Sequence, residues 1–149
     1  MTIEEAFKYY KEICTWNMSL AAKRKILSNI LEDAYSNHWR VIGITQEALN
    51  VFESHAFKKV SRMGINRGHI FDRKDTLTSL IQIPFQDVEE WWNFFYDRDK
   101  TILMTSTENM TNKHSHVHPV PEGLFHTAGF AWKHGKEEVQ FLTELASEV

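Results

Sequence analysis

Along most of this chain the apolar residues recur at three-and-four spacing, and two short stretches are read as strands, so the pattern predicts helices with a little sheet. Thr2 followed three residues later by Glu5 is a capping box, in which each side chain can satisfy a free backbone N–H at a helix start, and it predicts a first helix from about Ile3 to Cys14. Ser19 can cap a longer helix running through Arg40, with Leu20, Ile26, Leu27, Ile30, Leu31 and Ala34 on its apolar stripe. On that helix Lys23, Arg24 and Lys25 precede Glu32 and Asp33, an order the helix dipole disfavours, so packing must hold it. Gly43-Ile44-Thr45 reads as a glycine break and a Thr N-cap that open a helix to about His55. Two helices joined by so short a turn suggest a helix-turn-helix shape.

Past Gly64 and Gly68, His69-Ile70-Phe71 reads as a short strand, and Asp75 as the cap of a helix carrying Leu77, Leu80 and Ile81 that Pro84 ends. Asp87 with Glu90 repeats the capping signature ahead of Trp91, Trp92, Phe94, Phe95 and Tyr96, and large aromatics at this spacing make that helix the expected centre of the core. Thr101 to Thr105 is the best strand candidate. From Ser106 to Gly135 the chain is rich in Asn, Thr, His, Pro and Gly, which predicts irregular backbone, and Lys136 to Ala146 closes it with a helix striped by Val139, Leu142 and Leu145. The expectation is a helix-rich α+β fold in one domain, with a small sheet or hairpin and a His-rich irregular segment before a C-terminal helix.

Composition narrows the classes. At 149 residues with 42% hydrophobic and 13% aromatic positions, the chain has the make-up of a folded protein of one domain. Cys14 is the only cysteine, which excludes an intrachain disulfide or a multi-thiolate zinc site and fits a reducing compartment. Glu4 and Glu5 near the N-terminus do not suit a secretory signal, and no apolar run approaches membrane-spanning length, so a cytoplasmic location without membrane attachment is expected. The oligomeric state is left open. A formal net charge of −3 gives no whole-molecule attraction to a polyanion, so nucleic-acid binding needs a local patch. Lys58, Lys59, Arg62, Arg67, Arg73 and Lys74 supply one, of which Lys58, Lys59, Arg62 and Lys74 are the expected nucleic-acid contacts; an ordinary solvated face is the competing reading.

Two clusters can carry chemistry. His114, His116 and His118, with His126 and His134 beyond, form a histidine-rich segment in which strand alternation would set three imidazoles on one face, a donor set suited to a first-row metal such as zinc. The competing reading is a polar loop. Asn66-Arg67-Gly68-His69-Ile70-Phe71-Asp72-Arg73 combines a possible general base, two guanidinium groups and a carboxylate at a loop-to-strand boundary. A neutral imidazole can take a proton from attacking water, a divalent ion can stabilise the leaving oxygen, and arginines can offset developing phosphate charge. In this scheme His69 is the base, Arg67 and Arg73 hold phosphate, Asn109 orients, and Asp72, Glu108, His114 and His118 organise a magnesium or manganese ion, with zinc as the other candidate. Over this small part of the chain the arrangement loosely resembles the histidine-plus-asparagine logic of metal-dependent nucleases of the His-Asn-His class. The Arg62 and His69 pair also resembles the Arg and His spacing of helical ribonucleases of the HEPN type.

The chain has no phosphate loop, no dinucleotide-binding glycine fingerprint and no Gly-x-Ser-x-Gly elbow, and Cys14 lies on an amphipathic stretch where an inert thiol is expected. The functional expectation is a divalent-metal-dependent nuclease hydrolysing DNA. Its rivals are a non-catalytic domain that binds nucleic acid or a protein partner, and a metal-binding protein that uses the His-rich segment.

Overall fold

The computed structural model describes residues 1–126 and 131–149. Their elements follow in the order α1 (Ile3–Thr15), α2 (Leu20–Ala34), β1 (Arg40–Thr45), α3 (Gln46–Ser54), β2 (Ile65–His69), α4 (Arg73–Gln82), α5 (Val88–Arg98), β3 (Lys100–Thr105), α6 (Ser106–Thr111), β4 (Val117–Pro119) and α7 (Lys136–Glu148). The fold is α+β and helix-rich with a small sheet, as the apolar pattern implies. The chain forms two compact units: Met1–His38 with Phe71–Lys100, and Trp39–Ile70 with Thr101–Val149. Among the described residues no helix is long and apolar enough to cross a membrane.

The first unit is helical, built from α1, α2, α4 and α5. Its core joins Ala6 and Tyr10 of α1, Leu27 and Leu31 of α2, Leu77 and Leu80 of α4, and Trp91 and Phe95 of α5. The aromatic helix is central to it, as its sequence implies: the Trp91 ring lies 5.1 Å from Tyr10 and 5.4 Å from Phe7. Asp87 caps α5 by accepting from the Glu90 amide at 3.1 Å. Pro84 follows the end of α4, where carbonyls lack helical N–H partners; the buried Tyr10 hydroxyl donates to Leu80 O at 2.6 Å and to Ile83 O at 3.0 Å.

The second unit holds a mixed sheet in the order β2-β3-β1-β4, with β1 antiparallel to β4 and β2 antiparallel to β3. Helices α3 and α7 pack with the sheet through Val41, Ile44, Leu49, Phe52, Leu103 and Leu142. In the β2–β3 register Arg67 faces Leu103 and His69 faces Thr101, while Asn66 and Gly68 pair with Met104 and Ile102. Because side chains alternate across a sheet, Ile65, Arg67 and His69 share one face and Asn66 and Gly68 the other.

Five local expectations are corrected. The helix from Ser19 ends at Ala34 rather than Arg40, because the turn-forming Ser36-Asn37 pair intervenes before β1. Gly43 is therefore a strand residue, packed so closely that an added Cβ would stand 2.6 Å from Val117 Cγ1, and the structure has strand-then-helix where a helix-turn-helix was expected. Thr45 nevertheless caps α3, accepting from the Ala48 amide. The expected His69-Ile70-Phe71 strand is Ile65–His69, set by pairing with β3, and Ile70 and Phe71 are exposed; α4 starts from Asp72, not Asp75, with the Asp75 amide donating to Asp72. The stretch read as irregular from Ser106 contains α6, because Thr105 and Glu108 form a reciprocal capping box, and also β4.

Candidate functional site

A cavity of about 680 Å³ opens in the second unit, and every residue lining it belongs to that unit. Lys59, Arg62, Arg67, His69 and Asn109, all singled out from the sequence, meet there, together with Asn66, Trp39 and Trp132. Among the described residues, three cationic side chains and one imidazole line the cavity, and no Asp or Glu does. That imbalance gives a locally positive surface on a chain of net charge −3.

Strand β2 and the segment before it place these groups. Arg67 sits at a core-facing position of an edge strand and is buried; its guanidinium donates to Trp39 O at 3.2 Å and lies 5.0 Å from the Trp39 ring centre. His69, two residues on, lies edge-on to the same ring with centroids 4.6 Å apart. The Thr101 hydroxyl donates to Trp39 O at 3.2 Å and to Arg40 O at 3.0 Å, so Trp39 is fixed from both β2 and β3. On the opposite sheet face, Asn109 of α6 reaches over Gly68: an added Cβ there would meet Asn109 Oδ1 at 2.9 Å and Met104 Sδ at 2.6 Å. A side chain at position 68 would push Asn109 away, so glycine is what allows α6 to contribute to the cavity. Lys59 donates to Trp132 O at 3.0 Å with its ammonium 4.2 Å from that ring centre, and the Trp132 indole donates to Ile65 O at 3.3 Å.

Six described non-glycine residues have left-handed backbone, Trp39, Ala56, Phe57, Arg62, Asn112 and Phe125, and two of them line the cavity. Trp39 and Arg62 both have φ of 59°, a left-handed conformation that costs a non-glycine residue roughly 1–2 kcal/mol, and Gly64 between β2 and Arg62 has φ of 73°. Strained residues of this kind persist where surrounding contacts fix them, and they concentrate at functional sites.

The other residues read from the sequence lie elsewhere, with partners that explain them. Arg73, expected to hold phosphate, is largely buried in the first unit, bonded to Asp99 at 3.3 Å and Ser28 at 3.2 Å and paired with Glu32 at 3.6 Å. Burial lowers its pKa, and the charges of Asp99 and Glu32 oppose that shift. Asp72 caps α4 in that unit, and Lys74 is exposed on the same helix. Glu108 is buried with both oxygens in use: Oε1 accepts from the Thr45 hydroxyl at 2.6 Å and the Thr105 amide at 3.0 Å, and Oε2 accepts from the Ser115 amide at 2.8 Å and hydroxyl at 3.0 Å. Burial alone would raise its pKa, but these bonds outweigh it and hold the carboxyl below its ordinary range.

The histidine-rich segment does not form one strand face. Only Val117–Pro119 is strand, so His114 lies outside it and is exposed, while the buried His118 has Nε2 2.6 Å from Gln46 Oε1. His116 and His118 are neighbours with ring centres 4.7 Å apart. His134 stacks on Phe52, with Nε2 2.8 Å from Phe57 O. Among the described residues no group of three or more His, Cys, Asp or Glu is placed to share a metal ion, and Asp72, Glu108, His114 and His118 do not line the cavity. Lys58 is exposed beside Lys59.

Trp39, Trp132 and the apolar Val60, Met63, Ile65 and Ala131 are cavity residues that the sequence does not single out. Trp39 was placed inside a continuous helix; Ser36-Asn37 was the available sign that the chain turns before it. Comparison with protein-family models, with curated proteins and with solved structures finds no match to this chain.

Proposed function

We propose that the second unit binds nucleic acid through this cavity and cleaves its phosphodiester backbone, with DNA as the leading substrate. The observation that carries the proposal is the lining itself, which brings Lys59, Arg62, Arg67 and His69 into one cavity with no carboxylate among its described residues. Such a set favours a phosphate over a cationic or neutral ligand, because each cation gains a charge-assisted bond and no like charge opposes it. His69 supplies acid–base chemistry: a neutral imidazole accepts the proton of an attacking water as the bond to phosphorus forms, and returns a proton to the departing oxygen. Arg67, fixed by Trp39, is preorganised to stabilise the added negative charge without paying for reorganisation. Asn109 offers an amide that can orient the nucleophile. The described lining offers a divalent ion no carboxylate and no cluster of ligands, so such an ion would have to arrive on the bound phosphate, where it would supply Lewis-acid assistance.

The test is incubation of the purified full chain with supercoiled plasmid, linear DNA and single-stranded RNA, with magnesium, manganese or chelator. Expected is metal-dependent strand cleavage that falls about 100-fold or more in His69→Ala while its circular dichroism spectrum stays that of the parent. Intact substrates in every lane, with binding retained, would leave a non-catalytic nucleic-acid-binding domain.

A further inference from the structure

Phosphate binding accounts for the cations of the cavity but not for its aromatic walls. Both Trp39 and Trp132 line the cavity; Trp132 is a buried core residue packed against Phe52, Phe125 and His134, which accounts for it, whereas Trp39 is half-buried. Each indole stands beside a cation, Arg67 at 5.0 Å from the Trp39 ring centre and Lys59 at 4.2 Å from that of Trp132, and His69 is set edge-on to Trp39. Trp39 holds its place from a left-handed backbone, with its carbonyl accepting from both Arg67 and Thr101. Alternating aromatic and cationic groups are the pattern that receives bases and phosphates together, because every base has a π-face that stacks on an indole.

Size decides which form of nucleic acid fits. A concave volume of about 680 Å³ lies within the range of roughly 300–1,000 Å³ typical of sites for one small ligand. A duplex keeps its bases stacked inside and shows only its convex backbone to such a hollow, whereas an unpaired nucleotide can enter with base and phosphate at once. We propose that the substrate is single-stranded, with one unpaired nucleotide seated in the cavity, its phosphate on Lys59 and Arg62 and its base against Trp39. The inference rests on the nucleic-acid reading above and narrows its substrate class.

The experiment titrates the full chain, with chelator present to prevent cleavage, against three fluorescein-labelled 12-mers: a single strand, the same sequence as a blunt duplex, and the single strand with abasic sites throughout its centre. Expected are at least 10-fold tighter binding of the single strand than of the duplex, and about 10-fold weaker binding of the abasic strand. Trp39→Leu should weaken the intact strand about 5- to 100-fold, the range set by losing one stacked base, and Trp39→Phe should restore most of it. Equal affinity for duplex and single strand, or for intact and abasic strands, overturns this inference and leaves phosphate binding standing. Failure to bind any of the three overturns the underlying nucleic-acid reading as well. Should Trp39→Leu fail to fold, the abasic comparison decides the matter on the unaltered protein.

Discussion

At the scale of single residues, the cavity sets stability against function. Arg62 keeps a left-handed backbone that glycine adopts freely, so Arg62→Gly should raise the unfolding free energy by up to about 1 kcal/mol in urea denaturation while weakening nucleic-acid binding. A variant that bound as well as the parent would remove Arg62 from the phosphate site. Glu108 gives the complementary case of a polar residue whose role is architectural. Its carboxylate joins Thr45 at the end of β1, Thr105 at the end of β3 and Ser115, so Glu108→Ala should cost roughly 2–3 kcal/mol by leaving buried donors unanswered. The pH dependence follows from its depressed pKa. As pH falls, the unfolded chain takes up the proton first, near the ordinary glutamate value of about 4.3, and the stabilisation is lost progressively as pH drops through the lower folded value. Unfolding free energy measured from pH 6 downward should fall more steeply in the parent than in Glu108→Gln.

At the scale of elements, the helices of the first unit depend on ends as much as on faces. Tyr10→Phe removes the hydroxyl that satisfies Leu80 O and Ile83 O, and should lower stability by about 1–3 kcal/mol in chemical denaturation, with the loss seen as fraying at the end of α4 in amide exchange. No change would mean that those carbonyls find other donors. The elements that were legible from sequence were those with a cap and a stripe: α1 from Thr2, α3 from Thr45, α5 from Asp87, and α7 from its apolar spacing. Of the elements misread, β2 alone was set by a partner distant in sequence, while β1 carried a local signal in Val41, Ile42, Ile44 and Thr45. Strand β1 follows a helix that Ser36-Asn37 ends early, and β2 has Asn66, Arg67 and Gly68 at its centre, residues poor in strand preference that are held by pairing with β3. Helix α6 carried its own signal in Thr105 and Glu108, hidden within a polar stretch. The candidate site divides the same way. Lys59, Arg62, Arg67, His69 and Asn109 were read from residue type and do meet, whereas Asp72 and Arg73, adjacent to them in sequence, belong to the other unit. Nearness along the chain was a poor guide where the polypeptide passes from one unit to the other after Ile70.

At the scale of the molecule, an overall negative charge and a local positive cavity coexist, so binding must be carried by a few named cations rather than by a general field. Lys59, Arg62 and Arg67 bring at most three phosphate contacts, which for a single strand gives a slope of log affinity against log salt of about −2. The most direct measurement is therefore the affinity of the full chain for a labelled single-stranded oligonucleotide across a salt series, compared with Lys59→Ala and Arg62→Ala. The expected result is a slope between about −0.7, for one phosphate neutralised, and about −2, for three, with weaker binding in each variant and the fold unchanged by circular dichroism. Parent and variants with the same affinity and the same slope would place nucleic acid outside this cavity and contradict the account.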